Sequence, residues 1–239
     1  MNLELDETKY TQGLMLKSNG DYESEISGFM RSILKPEDCF VDCGAHVGYF
    51  TTLGAELCSS VYSIEPEKEN FISLAHNIEI NKYKNVKAFN CCVGDENKEV
   101  ELFINLDNDG GNALWDVSKH PFNKKTKLNG NTFQKVRMVT LDSFINEPVK
   151  LIKIDVEGCE LKVLQGAKEL LGKYHPAVIL EINDFALKNM GTNKGDIISF
   201  MSSLGYTCYD LQTGEQLDLQ TNVVHEYVYN VVFIKLITN

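Results

Sequence analysis

Asp42, two glycines and Glu65, with Glu65 about twenty residues beyond the first glycine, are the residues whose types and spacing point most directly to chemistry. In Cys39 to Thr51, CFVDCGAHVGYFT, an apolar strand is expected to end in Asp42. A turn over Gly44, Ala45, His46 and Gly48 follows, and a helix is expected to begin near Tyr49. Glycines without a Cβ let backbone approach a ligand, and a helix start presents unpaired N–H groups and a positive dipole end. That combination suits a ligand bearing a carboxylate. A second strand, Val61 to Ile64, ends in Glu65 and Pro66. An acid at the tip of the second strand of a βαβ unit is placed to accept hydrogen bonds from both hydroxyls of a ribose. The loop G-A-H-V-G lacks the tight glycine pair that brings backbone against a pyrophosphate, so S-adenosylmethionine fits better than a nicotinamide dinucleotide. Its methionine part would lie by Asp42 and the loop, with its ribose on Glu65. The alternative for Asp42 is to cap the helix, leaving the glycines only to turn the chain.

A second constellation lies in LIKIDVEG, Leu151 to Gly158. Ligands of open α/β sheets bind beyond the carboxyl ends of the strands, where Asp42, Glu65, Asp155 and Glu181 are all expected. Methyl transfer from a sulfonium asks mainly for positioning, exclusion of water and a group to take the acceptor's proton. Asp155 is the first candidate for that base, with binding of the methionine amino group or helix capping as its alternative. Glu157 is the second, against capping of the next helix. Lys153 precedes Asp155 by two and shares its side of the strand, where it either lowers the carboxylate's pKa and holds an acceptor or is a solvated strand-end charge. Glu181 pairs with Lys153, orients the acceptor or binds a metal. A cluster of acids also admits Mg²⁺, which would bridge acceptor hydroxyls, although carboxylates alone do not establish it.

These residues need strands and helices to hold them. Ile26, Phe29, Met30 and Ile33 have the spacing of an amphipathic helix covering the cofactor end, within an N-terminal cover over residues 1–35. Phe71, Leu74, Ala75 and Ile78 mark a crossover helix after Pro66. Val86 to Val93 reads as a third strand ending at Gly94 and Asp95, with Cys92, Val93 and Asp95 beside the adenine; the alternative for Asp95 is a plain turn residue. Val100 to Ile104 and Val136 to Leu141 read as strands around a long polar segment, Asn105 to Gln134, taken as a substrate lid. His120 within it and His175 read as loop residues. Leu151 to Asp155 and Ala177 to Glu181 are further core strands. Leu161, Leu164 and Leu171, then Ile197, Ile198, Met201 and Leu204, mark helices. Tyr206 to Leu211 and Val231 to Leu236 read as an antiparallel edge hairpin joined by a polar loop. Strand–helix alternation implies a mostly parallel sheet with helices on both faces, in one domain over residues 1–239 with its core at 36–239.

The net charge of −11, with 34 acidic against 23 basic residues, disfavours phosphate backbones, so nucleic acid is a poor default partner. A small molecule or neutral glycan fits better, and a homo-oligomer is compatible with the composition. No stretch approaches a membrane span and the N-terminus lacks the order of a signal peptide, so a cytoplasmic protein is expected. Seven cysteines, an odd number without paired C-x-x-C spacing, are expected as reduced thiols rather than as a zinc site.

VDCGAHVGYFT, SIEPEKENF, the CCVGD turn, GGNAL, VTLDSF, LIKIDVEGCELKVLQGA and HPAVILEI together resemble the FkbM family from about Pro36 to Ile182. The resemblance implies a class I S-adenosylmethionine-dependent methyltransferase, a Rossmann-like α/β fold with a seven-stranded, mostly parallel sheet and an antiparallel final strand. It implies O-methylation of a hydroxyl on a sugar, glycolipid or secondary metabolite. His46 stands where the family often has asparagine. N-methylation, methylation of RNA 2′-hydroxyls by a Lys–Asp–Lys–Glu set, and a non-catalytic nucleoside-binding module are the competing readings.

Overall fold

The computed structural model describes residues 1–130, 132–217 and 228–236. Two helices, α1 (Tyr10–Lys17) and α2 (Ser24–Ile33), precede the first strand, β1 (Cys39–Cys43). The alternation continues through α3 (Tyr49–Leu57), β2 (Ser60–Ile64), α4 (Lys68–Ile80) and β3 (Val86–Phe89). Three strands of a smaller sheet follow, β4 (Cys92–Val93), β5 (Lys98–Phe103) and β6 (Phe133–Val139), with α5 (Lys124–Asn129) between the last two. The chain then returns to the main sheet with β7 (Leu151–Ile154), α6 (Glu160–Gln165), α7 (Lys168–Tyr174), β8 (Ala177–Asn183), α8 (Asp184–Asn189), α9 (Lys194–Ser203), β9 (Thr207–Asp210) and β10 (Val228–Ile234).

The main sheet has seven strands in the order β3-β2-β1-β7-β8-β10-β9. All neighbours are parallel except β10, which runs antiparallel to both β8 and β9. Every residue of β1 is buried, as a central strand covered on both faces requires. Val41 and Cys43 pack with Val163, Leu171 and Met201 of α6, α7 and α9 on one side. Phe40 packs with Met30 and Leu53 of α2 and α3 on the other. Strand order reverses between β1 and β7, so the crevice above their carboxyl ends is where an open α/β sheet places a ligand.

Three local features differ from the sequence expectation, and the edge hairpin agrees with it. The stretch Val86 to Val93 is not one strand: it breaks after Phe89, and Cys92–Val93 pairs in parallel with Met138–Val139 in the second sheet. Asn90 makes the break by donating its side-chain amide to the carbonyls of Glu65 and Pro66, at 2.9 and 3.0 Å. The expected antiparallel edge hairpin is present, with β10 between β8 and β9 and β9 outermost. The loop joining β9 to β10 lies partly outside the described residues. On α4 the buried positions are Asn70, Leu74 and Asn77 rather than a wholly apolar stripe. Asn77 donates to the Val47 carbonyl at 2.8 Å and Asn70 to that of Asp109 at 2.9 Å, so two amides replace apolar residues where the helix meets irregular backbone.

Finally, the segment between β5 and β6 has structure of its own. It carries a bridge between Phe103 and Ala113, a short 3-10 turn at Val117–Lys119 and α5. Ala113, Trp115 and Val117 are buried against Ala186 of α8. All seven cysteines are buried and unpaired. Among the described residues no helix is long and apolar enough to cross a membrane.

Candidate active site

The turn after β1 is set by three left-handed residues, Gly44 (φ 80°), His46 (φ 52°) and Gly48 (φ 96°). A Cβ on Gly44 would stand 1.8 Å from the Asp155 carbonyl oxygen, so only glycine lets the β1 turn lie against the turn after β7. Most of the turn's N–H groups are already used. Gly44 and Ala45 both donate to the Ile64 carbonyl at 3.0 Å, and Gly48 donates to that of Ala45 at 2.8 Å. His46 N–H donates to Glu65 Oε2 at 2.9 Å. The turn therefore binds its own neighbours first and leaves side chains, more than free amides, to meet a ligand.

A cavity of about 420 Å³ opens at this end of the sheet, within the usual range for small-molecule and cofactor sites. Gly44, Ala45, His46, Glu65 and Pro66 line one end, with Cys92 and Val93 beside them; Tyr49 lines the cavity next to Phe50. Lys153, Asp155, Glu157 and Glu181 line the other. Asp42, Gly48 and Asp95 do not reach the lining. Asp42 is wholly buried behind it, where Oδ2 accepts a hydrogen bond from the Thr51 hydroxyl at 2.6 Å and Oδ1 is left without a partner among the described residues. Gly48 packs under Leu74, which a Cβ would meet at 2.6 Å. Asp95 faces Lys162 at 3.5 Å.

Glu65 is buried at the tip of β2, with Oε2 on His46 N–H and Oε1 on Glu67 N–H. Each carboxylate oxygen can accept a second hydrogen bond, which leaves capacity for a pair of ribose hydroxyls. Burial pushes its pKa up to about 7, against the pull of His46 and the two N–H donors. His46 reaches the other way, with Nε2 2.8 Å from Asp109 Oδ2 and both side chains largely buried. Asp109 also accepts from Thr11 N–H and the Gln12 side chain of α1. Burial opposes ionisation of Asp109, but His46 and these donors outweigh it and hold the pKa at about 2. One carboxylate thus joins the glycine turn, the N-terminal helix and the segment after β5.

At the β7 end, Lys153 is 3% exposed, with Nζ 3.0 Å from Asp155 Oδ2 and 4.9 Å from the centre of the Phe50 ring. Burial alone would lower an ammonium's pKa, yet Asp155, Asp42 and Glu23 raise it. The following turn carries Glu157 (φ 51°) and Gly158 (φ 103°). Trp115 Nε1 donates to the Glu157 carbonyl at 2.9 Å, pinning the segment after β5 onto this turn. Glu160 Oε1 accepts the N–H groups of Gly158 and Val156 at 3.0 and 3.4 Å. Burial raises the Glu157 pKa, and Asp155 and Glu160 raise it further. Glu181 is likewise raised by burial, then by Asp155, Glu157 and Glu23.

Several lining residues carry no mark in the sequence. Tyr22 and Glu23, just before α2, enter the cavity, as do Asn108 and Asn112 from the segment after β5. They come from outside the strand tips, and neither periodicity nor a motif sets them apart; the unusual φ of 45° at Glu23 is visible only in the fold. His120 packs edge-on to Phe185 at 4.9 Å and His175 ends α7, both away from the lining. Among the described residues no three His, Cys, Asp or Glu side chains are grouped to hold a metal ion.

The family model described as the Methyltransferase FkbM domain matches residues 42–208, well over half of the chain. "Methyltransferase 1" of Beauveria bassiana (strain ARSEF 2860) is 28% identical over 168 residues, covering 62% of this chain and 66% of that protein. Three solved structures share the fold. Methyltransferase FkbM from Methylobacillus flagellatus KT has a TM-score of 0.50 at 16% identity, over 87% of this chain and 50% of its own. A Streptococcus mutans protein in complex with SAH, S-adenosylhomocysteine, scores 0.52 at 13% identity, over 90% and 97%. Precorrin-6y C5,15-methyltransferase from Geobacter metallireducens GS-15 scores 0.51 at 11%, over 90% and 88%. The chain spans about two thirds of the Beauveria protein and half of the Methylobacillus chain. With the seven-stranded order and its inserted antiparallel strand, the fold is the class I methyltransferase architecture, and the chain belongs to the FkbM methyltransferase family.

Proposed function

We propose that this chain is an S-adenosylmethionine-dependent O-methyltransferase acting on a hydroxyl of a carbohydrate, glycolipid or secondary metabolite. The observation that carries the reading is a single cavity with Glu65 at one end and the Lys153, Asp155 and Glu157 group at the other, across the reversal in strand order. The residues fit the group: Glu65 retains acceptor capacity for ribose hydroxyls, and the acids at the β7 end favour a positive centre. When bound, the donor supplies an electrophilic methyl carbon on a sulfonium.

The chain's own residues then have three tasks. Asp155, fixed by Lys153, holds the amino group of the methionine part. The segment pinned by Trp115 covers the acceptor as a lid and excludes water. Glu157 takes the hydroxyl proton as the new C–O bond forms and the S–C bond breaks. Its upward pKa shift suits it to accept a proton near neutrality better than Asp155, which faces an ammonium. Methylation needs no metal in this scheme. Incubating the full chain with methyl-labelled donor and a panel of glycan and polyol acceptors tests the reading. Label transfer that disappears in Glu157→Gln supports it. Failure of the folded chain to bind the donor overturns it.

A further inference from the structure

The acceptor half of the cavity holds more negative groups than the chain neutralises. Glu23 enters from the segment before α2 and Glu181 from β8, with Asp155 and Glu157 lining the same half, and Lys153 is the one lysine or arginine lining the cavity among the described residues. Lys153 is already committed to Asp155 at 3.0 Å. Burial pushes the Glu23 pKa up, with Lys153 pulling the other way. Glu181 makes no hydrogen bond or ion pair with any described residue. A charged carboxylate left without a partner in a half-buried site is costly, so a pocket built this way suits a ligand that brings the missing charge.

An independent feature points the same way. Tyr22, Tyr49 and Phe50 form a mutually packed aromatic group at this end of the cavity, with ring centres 5.1 to 6.4 Å apart. Aromatic rings beside carboxylates are the usual setting for binding ammonium groups. Lys153 shows that this setting works within the chain. Its ammonium is buried and lies over the Phe50 ring, yet it is held charged against the burial that would deprotonate it. A neutral glycan would bring no charge to the Glu181 side chain, which has no partner among the described residues, and would use none of this.

Resting on the methyl-transfer reading above, we infer that the natural acceptor carries a protonated amine as well as the methylated hydroxyl. The amine is held between Glu23 and Glu181 beside the Tyr22, Tyr49 and Phe50 rings. Glu157 remains free to serve the hydroxyl. The acceptor class is therefore an amino sugar or amino alcohol rather than an uncharged polyol.

Calorimetry on the full chain separates this inference from the reading beneath it. Titration with S-adenosylhomocysteine comes first, and absence of binding there counts against the methyltransferase reading alone. The loaded chain is then titrated with 2-amino-1,3-propanediol and with glycerol, probes small enough to enter whatever the acceptor's shape. The amine is expected to bind at least about tenfold more tightly, as one partly desolvated charge contact provides. Glu181→Gln and, separately, Glu23→Gln are expected to reduce that preference severalfold while S-adenosylhomocysteine affinity, unchanged, certifies a folded cavity. Proton release on amine binding, read by repeating the titration in buffers of different ionisation enthalpy, should accompany it. Equal affinity for the two probes, no binding of the amine to the loaded chain, or a preference that survives both substitutions would overturn the inference.

Discussion

At the scale of single residues the proposed reaction assigns holding and proton transfer to different carboxylates. Asp155 is tied to Lys153, whereas Glu157 has no such partner among the described residues and a raised pKa, which supports its proposed role as the base. Glu157→Gln is expected to lower kcat by about 10²–10⁴ while leaving S-adenosylhomocysteine affinity within about twofold, as loss of a general base does. Equal losses in rate and cofactor affinity would assign Glu157 to binding. Glu160 makes a different prediction. Burial holds its pKa up to about 7, and Oε1 alone accepts the turn's N–H groups while Oε2 is buried without a partner. The folded chain keeps this proton where the unfolded chain has lost it, so its contribution to stability is best below the ordinary glutamate pKa and declines as pH rises through about 7. Glu160→Gln keeps the accepting oxygen and removes the charge. It should therefore stabilise the chain by about 1–3 kcal/mol near pH 8 and change little near pH 5, measured by urea unfolding. No pH dependence of the difference would contradict this. That Glu65 and the KIDVEG acids share one crevice was legible from their place at strand ends. Glu23, Tyr22 and Asp109 were not, because their roles arise from contacts between segments far apart in the chain.

At the scale of elements, two turns make the site by touching. Gly44 sits at φ 80° with the Asp155 carbonyl where a side chain would go. Gly44→Ala should cost about 2–4 kcal/mol in stability and abolish measurable donor binding, since the β1 and β7 turns must part. Wild-type affinity in that variant would show that their contact does not shape the cavity. The Asp109 contacts act on a larger element. Breaking them in Asp109→Ala should free the segment between β5 and β6, speeding its proteolytic cleavage and weakening S-adenosylhomocysteine binding about tenfold, with global unfolding little changed. Cleavage at the wild-type rate would sink that role. Sequence periodicity located the core strands and most helices because buried apolar spacing is a local property. The break at Asn90 and the insertion of β10 between β8 and β9 depend on pairing partners, which an alternating pattern does not name. The polar composition of Asn105 to Gln134 likewise hid a segment anchored by Trp115 and Val117.

At the scale of the molecule, one end of the sheet gathers acids that burial pushes upward, among them Glu23, Glu65, Glu157, Glu160 and Glu181. All of them favour the protonated form in the folded chain, so the melting temperature without ligand should fall as pH rises from about 5 to about 8. Carboxylates held low by partners, such as Asp109 and Glu147, contribute stability that is lost only at more acid pH. A melting temperature that rises across that range, followed by calorimetry, would contradict the placement of these acids. The price of this end of the sheet in stability is offset by the two apolar cores that sandwich β1 and β7. The central claim is that this end holds the nucleoside over β1 and β2 with the acceptor over β7 and β8. A crystal structure of the full chain with S-adenosylhomocysteine tests it most directly. The ribose hydroxyls should lie within hydrogen-bond reach of Glu65 and the sulfur should face Glu157; a nucleoside bound elsewhere, or a cleft closed by Tyr49 and Cys92, would contradict it.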